Sequence, residues 1–272
     1  MLDLGTSFLA SVERDPGALA IVDGEMRLTY RQWYDKVSAL AAALSETGLT
    51  RGDHVLTAMQ NRWENATLHW ACQFLGLVIT PLNWRAKTDE IDFGIEDAGA
   101  KAVFYDASTE EAVRLSHLAQ HLAHFSAEAL ASIMDGKAPD AVPVADAADW
   151  SLMLYTSGTT SKPKGVPRRH LAERAGAVAH VAQNLYRHGE RTLGVMPLYH
   201  TMGVRSLIAS SLIGGTFVCL PRFDAAKALD LIEQEEITNL YLVPTLYHDL
   251  VHHETFSPER VASVRKLGYA GA

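Results

Sequence analysis

Residues 155–166 read Tyr-Thr-Ser-Gly-Thr-Thr-Ser-Lys-Pro-Lys-Gly-Val, and they follow a short apolar run, 151–154, that is typical of a buried strand. Small side chains let the backbone approach a ligand closely, and Gly158 can adopt a positive φ at little cost. Backbone N–H groups in such a turn bind anions, hydroxyl groups add donors, and a lysine supplies a charge suited to phosphate oxygens. The stretch therefore predicts a phosphate-binding loop, with contacts from Thr156, Ser157, Gly158, Thr159, Thr160, Ser161, Lys162, Pro163 and Lys164.

This loop does not fit the Walker A pattern of P-loop kinases. Counting from Gly158, Pro163 stands where the second glycine belongs, and Gly165 stands where the magnesium-binding Ser or Thr belongs. Pro167 also prevents a helix from opening straight after the loop. A flexible linker is disfavoured as well, because linkers seldom follow a strand and end in Lys-Pro-Lys-Gly.

The composition is that of an ordinary globular protein. The chain has 272 residues, 48% of them hydrophobic and 21% charged, which is enough for one large or two modest domains. A net charge of −8 argues against a nucleic-acid partner but is compatible with a nucleotide bound at a locally positive loop. Cys72 and Cys219 lie far apart in apolar contexts and predict free thiols. We expect a cytoplasmic location, since neither a basic signal-peptide start nor an uninterrupted apolar span is apparent.

Strand and helix patterns alternate along the chain. Thr29 is spaced as the N-cap of a first helix, and Asn61 is predicted to open a second one. The pattern predicts an α/β fold with two doubly wound, mostly parallel sheets. We place one α/β subdomain at residues 1–148 and another, carrying the phosphate loop, at 149–272. Within residues 107–150, where the pattern is weaker, Pro139 and Pro143 are predicted to mark an exposed connector to the phosphate-loop strand.

Three histidines form a candidate metal site because of their spacing. His117, His121 and His124 are predicted to share one helical face, which is a spacing that metal sites use. No carboxylate or cysteine completes the ligand set, so we expect no metal here.

A second candidate site follows a later strand pattern. The sequence Met196-Pro-Leu-Tyr-His200 places a histidine just beyond a strand end. Ligands of doubly wound sheets bind outside the carboxyl ends of the strands, which makes His200 a candidate. Taken alone, a histidine after such a turn is more often structural.

The loop closely resembles that of the AMP-forming adenylating enzymes, which include acyl- and aryl-CoA synthetases, luciferase and peptide-synthetase adenylation domains. Their usual form is [ST]-S-G-[ST]-T-G-x-P-K-G, and this chain departs from it at Ser161. The Pro-Leu-Tyr-His motif also resembles theirs. The resemblance spans residues 28–272 and extends to the aryl-CoA ligases of the 4-chlorobenzoate type.

The resemblance implies a chemistry and a set of roles. A carboxylate attacks the α-phosphate of ATP, and the thiol of CoA then displaces AMP from the acyl-adenylate. ATP, Mg²⁺ and CoA are implied, with the magnesium ligands expected beyond residue 272, and the partner is a small aryl or medium-chain carboxylic acid. A homodimer is compatible with this family. The implied site residues are catalytic Lys164 and His200, an acyl pocket of His200, Met202, Tyr241 and Gly271, and a nucleotide contact by Ala270, Gly271 and Ala272.

Two alternatives stay open at the level of sequence. One is an adenylation domain that loads a carrier protein; amino-acid activators of that kind carry an acidic residue early in the helix after the Tyr-His motif. Here residues 203–208 contain no acid and instead contain Arg205, which is able to pair with a second carboxylate. The other alternative is a nucleotide-binding fragment without turnover.

Overall fold

A computed structural model describes residues 2–156 and 163–271. The chain divides into two compact units. The first unit comprises Met1–Leu9, Gln32–Gln60 and Glu64–Arg174. The second comprises Ala10–Arg31, Asn61–Trp63 and Ala175–Ala272. The domain boundary placed at residues 148 and 149 stays a prediction.

Strands and helices alternate as expected from the hydrophobic pattern. The strands are β1 Leu19–Asp23, β2 Met26–Thr29, β3 His54–Ala58, β4 Val78–Pro81, β5 Ala102–Tyr105, β6 Ala123–Ser126, β7 Trp150–Thr156, β8 Lys164–Arg169, β9 Arg191–Gly194, β10 Thr216–Cys219, β11 Asn239–Leu242 and β12 Lys266–Tyr269. The helices are α1 Leu4–Arg14, α2 Tyr30–Glu46, α3 Trp63–Leu75, α4 Thr88–Ala98, α5 Glu110–Leu115, α6 Ala127–Met134, α7 His170–Gln183, α8 Thr201–Leu212, α9 Ala225–Gln234 and α10 Pro244–Val251.

The sheet of the first unit has the strand order β6-β5-β3-β4-β7-β8. Its strands are parallel except for the antiparallel pair β7 and β8. Leu56 and Val103 on the sheet pack with Ile91 of α4, and all three side chains are fully buried. A second cluster stacks the ring of Phe8 on Trp70 at 4.7 Å and sets it edge-on to Trp33 at 5.2 Å.

The sheet of the second unit has the order β12-β11-β9-β10-β1-β2 and is parallel except for the β1–β2 hairpin. Val218 and Leu193 on the sheet pack with Leu229 of α9. Because β9, β11 and β12 run parallel, their carboxyl ends lie at one edge. Two mostly parallel sheets with flanking helices confirm the predicted α/β class.

One sequence prediction is wrong, and one segment forms elements that its sequence pattern does not show. His117 lies in a turn, His121 ends the short 3-10 helix Ala119–His121, and His124 lies in β6, so the three histidines do not share a helical face. The weakly patterned segment 107–150 contains α5, β6 and α6, whereas residues 137–146, around Pro139 and Pro143, form neither helix nor strand. Strand β6 forms because it pairs in parallel with β5, and that long-range pairing leaves little trace in a four-residue segment.

The described residues contain neither a candidate metal site nor a candidate membrane-spanning helix. Within 2–156 and 163–271, no three His, Cys, Asp or Glu side chains are grouped so that they could hold a metal ion. In the same part of the chain, no helix combines the length and the apolar character that crossing a membrane requires.

Buried histidines make the stability of the first unit dependent on pH. His69 in α3 is 3% exposed, and its Nε2 has no hydrogen-bond partner among the described residues. Burial, together with the neighbouring His170, lowers the pKa of His69 from 6.5 to about 3. Between these two values the unfolded chain binds a proton that the folded chain excludes, so stability falls as the pH is lowered through this window.

We predict that His69→Leu makes the stability of the protein less sensitive to acid. The difference in the free energy of unfolding between pH 7 and pH 5 should shrink by about 2 kcal/mol, since one proton-linked group is removed. Urea unfolding at both values of pH measures this difference. Leu68→Ala, a change at a neighbouring buried residue without a titrating group, should lower stability equally at both. An undiminished difference in His69→Leu would contradict the prediction.

Candidate functional site

The predicted phosphate loop is flanked by an antiparallel hairpin. Strand β7 ends at Thr156 and β8 begins at Lys164, and these two residues lie opposite each other in the ladder. Lys164 is exposed, and its ammonium group makes no ion pair or hydrogen bond with another described residue. Pro163 beside it is also exposed. The contacts predicted for residues 157–162 lie outside the described residues.

The hairpin is fixed to its own unit by close packing. A Cβ atom on Gly165 would lie 2.7 Å from the Sδ atom of Met153, so a larger residue at this point of β8 would displace the end of the Met153 side chain. The hydroxyl of Tyr155 donates a hydrogen bond of 2.8 Å to Asp97 of α4. Burial of the phenol and the adjacent Asp97 carboxylate raise the pKa of Tyr155. Thr156 and Lys164 therefore project from an anchored pair of strands.

A buried asparagine shapes the turn that carries the candidate histidine. The side-chain amide of Asn61 donates to the carbonyl oxygens of Gly194 at 2.9 Å and Met196 at 2.7 Å, and its oxygen accepts from the N–H of Leu198 at 3.1 Å. Asn61 is 2% exposed. The prediction that Asn61 opens a helix is therefore wrong in detail: α3 begins at Trp63, and the asparagine holds a distant turn instead.

The same turn is packed against the start of α8. A Cβ atom on Gly203 would lie 2.2 Å from the carbonyl oxygen of Pro197, so the first turn of α8 can approach only because this residue is glycine. His200 occupies the N-cap position, and its N–H donates to the Pro197 carbonyl at 2.9 Å. Its imidazole lies 4.3 Å from the ring of Tyr199. Partial burial lowers the pKa of His200, which favours the neutral ring.

The structure brings several predicted pocket residues to one region of the second sheet. His200 and Met202 follow β9, Tyr241 lies in β11, and Ala270 and Gly271 follow β12. Gly271 has a φ of +78°, and a Cβ atom there would lie 3.4 Å from the Cγ1 atom of Val243. The prediction for Ala272 lies outside the described residues.

A polar cluster lies beside Tyr241, and Arg205 is its one member to which the sequence assigns a role. We use the term polar cluster for Gly176, His180, Asn184, Tyr186 and Arg205. The ring of His180 lies 4.6 Å from that of Tyr241. A signal was present in the sequence, because three of the members recur every fourth residue along a predicted helix and so share one face.

Comparison with known proteins identifies relatives of the whole chain. The profile of a family described as AMP-binding enzyme matches residues 8–272. A 4-chlorobenzoate–CoA ligase from Arthrobacter sp. is 31% identical over 271 residues, which cover 96% of this chain and 52% of that protein. A feruloyl-CoA synthase from Amycolatopsis sp. is 30% identical over 270 residues, covering 99% of this chain and 54% of the relative. The chain thus spans about half the length of the curated relatives it matches.

Solved structures agree with these relatives. The inhibitor-bound N-terminal domain of FACL13 from Mycobacterium tuberculosis superposes with a TM-score of 0.92 at 27% identity. That match covers 100% of this chain and 70% of the other. The ATP-bound MatB from Rhodopseudomonas palustris gives a TM-score of 0.86 at 25% identity, with 100% and 55% of the two chains covered.

We predict that Asn61→Ala destabilises the protein by about 2–4 kcal/mol, since it leaves buried backbone groups of the histidine turn without partners. The midpoint of urea unfolding measures the loss. Asn83→Ala is the matched control, because Asn83 is exposed and its side-chain oxygen accepts a local hydrogen bond from the N–H of Arg85. A loss in Asn61→Ala no larger than that in the control would refute the role assigned to Asn61.

Proposed function

The chain belongs to the AMP-binding enzyme family, and from this premise we propose that it binds ATP and a small carboxylic acid as part of an AMP-forming CoA ligase. The β7–β8 hairpin carries this proposal, because it sets Thr156 opposite Lys164 at the two ends of the predicted phosphate loop. The exposed ammonium of Lys164 makes no ion pair or hydrogen bond with another described residue. An exposed, unpaired cation beside hydroxyl groups is suited to phosphate oxygens.

The reaction has two steps in this proposal. The carboxylate attacks the α-phosphate of ATP and releases pyrophosphate, and the thiol of CoA then attacks the acyl carbon and releases AMP. The first step converts a poor acyl donor into one with a good leaving group. Thr156, Ser157, Thr159, Thr160 and Lys164 hold the β- and γ-phosphates, so that the protein contributes positioning and charge stabilisation.

The acid enters from the side of the histidine turn. A neutral His200 imidazole lines this path. Because it carries no charge, it does not hold the carboxylate in an ion pair. Met202 and Tyr241 contribute apolar surface, and the small residues Ala270 and Gly271 leave room for a flat ring to approach. AMP-forming CoA ligases use ATP, Mg²⁺ and CoA. The metal supplies charge neutralisation at the phosphates when bound, while the residues described above orient the nucleotide and the acid.

The relatives favour an organic acid without a free amine. Their names specify ligases of 4-chlorobenzoate, a feruloyl group and long-chain fatty acids. Helix α8 carries Arg205 near its start and has no acidic residue in its first turn, as a partner for a substrate ammonium would require. The thiols of Cys72 and Cys219, which are buried and form no disulfide among the described residues, support a cytoplasmic location as part of the same proposal.

We predict that Lys164→Ala weakens ATP binding to the 272-residue chain and slows ATP–pyrophosphate exchange in the intact enzyme. A lost charge-assisted contact corresponds to about 10- to 100-fold in each quantity. Isothermal titration and exchange of labelled pyrophosphate provide the measurements. The melting temperature should stay the same, because the Lys164 side chain makes no contact that stabilises the described fold.

Lys101→Ala serves as the control, since it removes an exposed lysine of the first unit that lies before β5. It should leave both quantities unchanged. Wild-type exchange in Lys164→Ala would remove the main support for the assigned chemistry.

A further inference from the structure

We propose that the acid taken by this site carries a second, negatively charged group, and that Arg205, His180 and Tyr186 of the polar cluster bind that group. The inference deepens the proposed function and rests on it, because it names the class of acid as a dicarboxylate. The three side chains offer hydrogen-bond donors whose buried atoms have no partner among the described residues.

Arg205 supplies the positive charge. It lies in α8, five residues after His200, which corresponds to about 7.5 Å along the helix axis. The residue is half-buried, and its guanidinium makes no ion pair or hydrogen bond with another described residue. Its Nε atom is fully shielded from solvent and has no partner there. An N–H donor that is shielded from solvent and has no partner is costly, and the positive charge of the guanidinium favours an anion as the acceptor.

The space for this guanidinium is made by a glycine on the neighbouring helix. A Cβ atom on Gly176 of α7 would lie 2.5 Å from the Cζ atom of Arg205. Any other residue at position 176 would therefore displace the charged group. The arrangement holds the planar guanidinium against α7, where its N–H groups have a fixed direction.

His180 supplies a neutral donor next to this charge. Asn184 donates a hydrogen bond of 3.2 Å to His180 Nδ1, which assigns the ring proton to Nε2. His180 is 7% exposed, and Nε2 has no partner among the described residues. Burial and the positive charge of Arg205 lower the pKa of His180 to about 4, so the ring is neutral at pH 7. The imidazole thus keeps its N–H directed at a ligand without adding charge.

Tyr186 adds the third donor. Its ring lies edge-on to His180 at 5.2 Å, and its hydroxyl group is buried without a partner among the described residues. Glu190, whose charge acts on Tyr186, is already paired with Lys266 at 2.5 Å and therefore does not serve as the missing anion. One cation and two neutral donors match the acceptor oxygens of a carboxylate.

A neutral aryl or alkyl group would fit these residues poorly. It would cover the guanidinium, the imidazole N–H and the phenol without giving any of them a hydrogen bond, and each buried donor left unpaired would weaken binding. A second carboxylate satisfies all three donors at once. The position of Arg205 beyond His200 places this second carboxylate at the end of the acid opposite the reacting one.

The test compares matched pairs of non-hydrolysable acyl-adenylate analogues. The probes are acyl sulfamoyladenosines of straight-chain dicarboxylic acids, from succinic to suberic acid, each paired with the analogue in which a methyl group replaces the distal carboxylate. Isothermal titration measures their binding to the 272-residue chain. For at least one chain length, we expect the carboxylate form to bind about 10- to 100-fold more tightly than the methyl form.

Three variants identify the residues responsible. Arg205→Met should abolish the preference for the carboxylate form, and Gly176→Val should do the same by displacing the guanidinium. Tyr186→Phe removes only a hydroxyl group, so it keeps the fold and should reduce the preference about 3- to 10-fold. Arg265→Met removes an equal charge at an exposed position before β12 and should keep the preference.

The outcomes separate this inference from the function on which it rests. If the methyl forms bind as tightly as the carboxylate forms or more tightly, the dicarboxylate assignment is wrong while the adenylating function stands. If neither form of any pair binds, the proposed function itself fails. A carboxylate preference that survives in both Arg205→Met and Tyr186→Phe would also overturn the assignment to the polar cluster.

Discussion

Parallel pairing of β9, β11 and β12 is the constraint on which the candidate acid site depends. In parallel strands the chain always leaves the sheet at the same edge, so residues far apart in sequence arrive in one region without any direct attraction between them. His200, Tyr241 and Gly271 come from three such segments. The sheet brings these residues close together, and the loops that follow each strand carry functional side chains.

Glycine determines how closely these loops and helices approach. The tight contacts are made where a Cβ atom would collide with a neighbour: Gly203 with the backbone of the histidine turn, Gly176 with the guanidinium of Arg205, and Gly165 with Met153. Gly203 is required by space because its neighbours are backbone atoms, whereas at Gly165 and Gly176 a Cβ atom would displace the end of a long side chain. Small residues near the site thus serve packing first, and the position of Arg205 in particular depends on an absent side chain on another helix.

Histidines in this protein are kept neutral by burial. The pKa values of His69, His180 and His200 are all lowered, chiefly because a charged imidazole would lose its hydration. For His69 the lowered pKa affects stability, since in acid the unfolded chain binds a proton that the folded chain excludes. For His180 the consequence concerns recognition, because a neutral ring with a fixed tautomer is a directed donor. The same physical effect therefore has different results in the two units.

The sequence by itself determined the α/β class, a majority of the strands and helices, and the two motifs around Lys164 and His200. Hydrophobic periodicity and turn residues are local signals, and a family resemblance carries motif residues with it. Tertiary structure alone decided the role of Asn61, whose three hydrogen bonds reach residues more than 130 positions away. It also decided that β6 is a strand and that Arg205 meets Gly176 and His180, because pairing, burial and hydrogen-bond satisfaction depend on which distant segments the fold brings together.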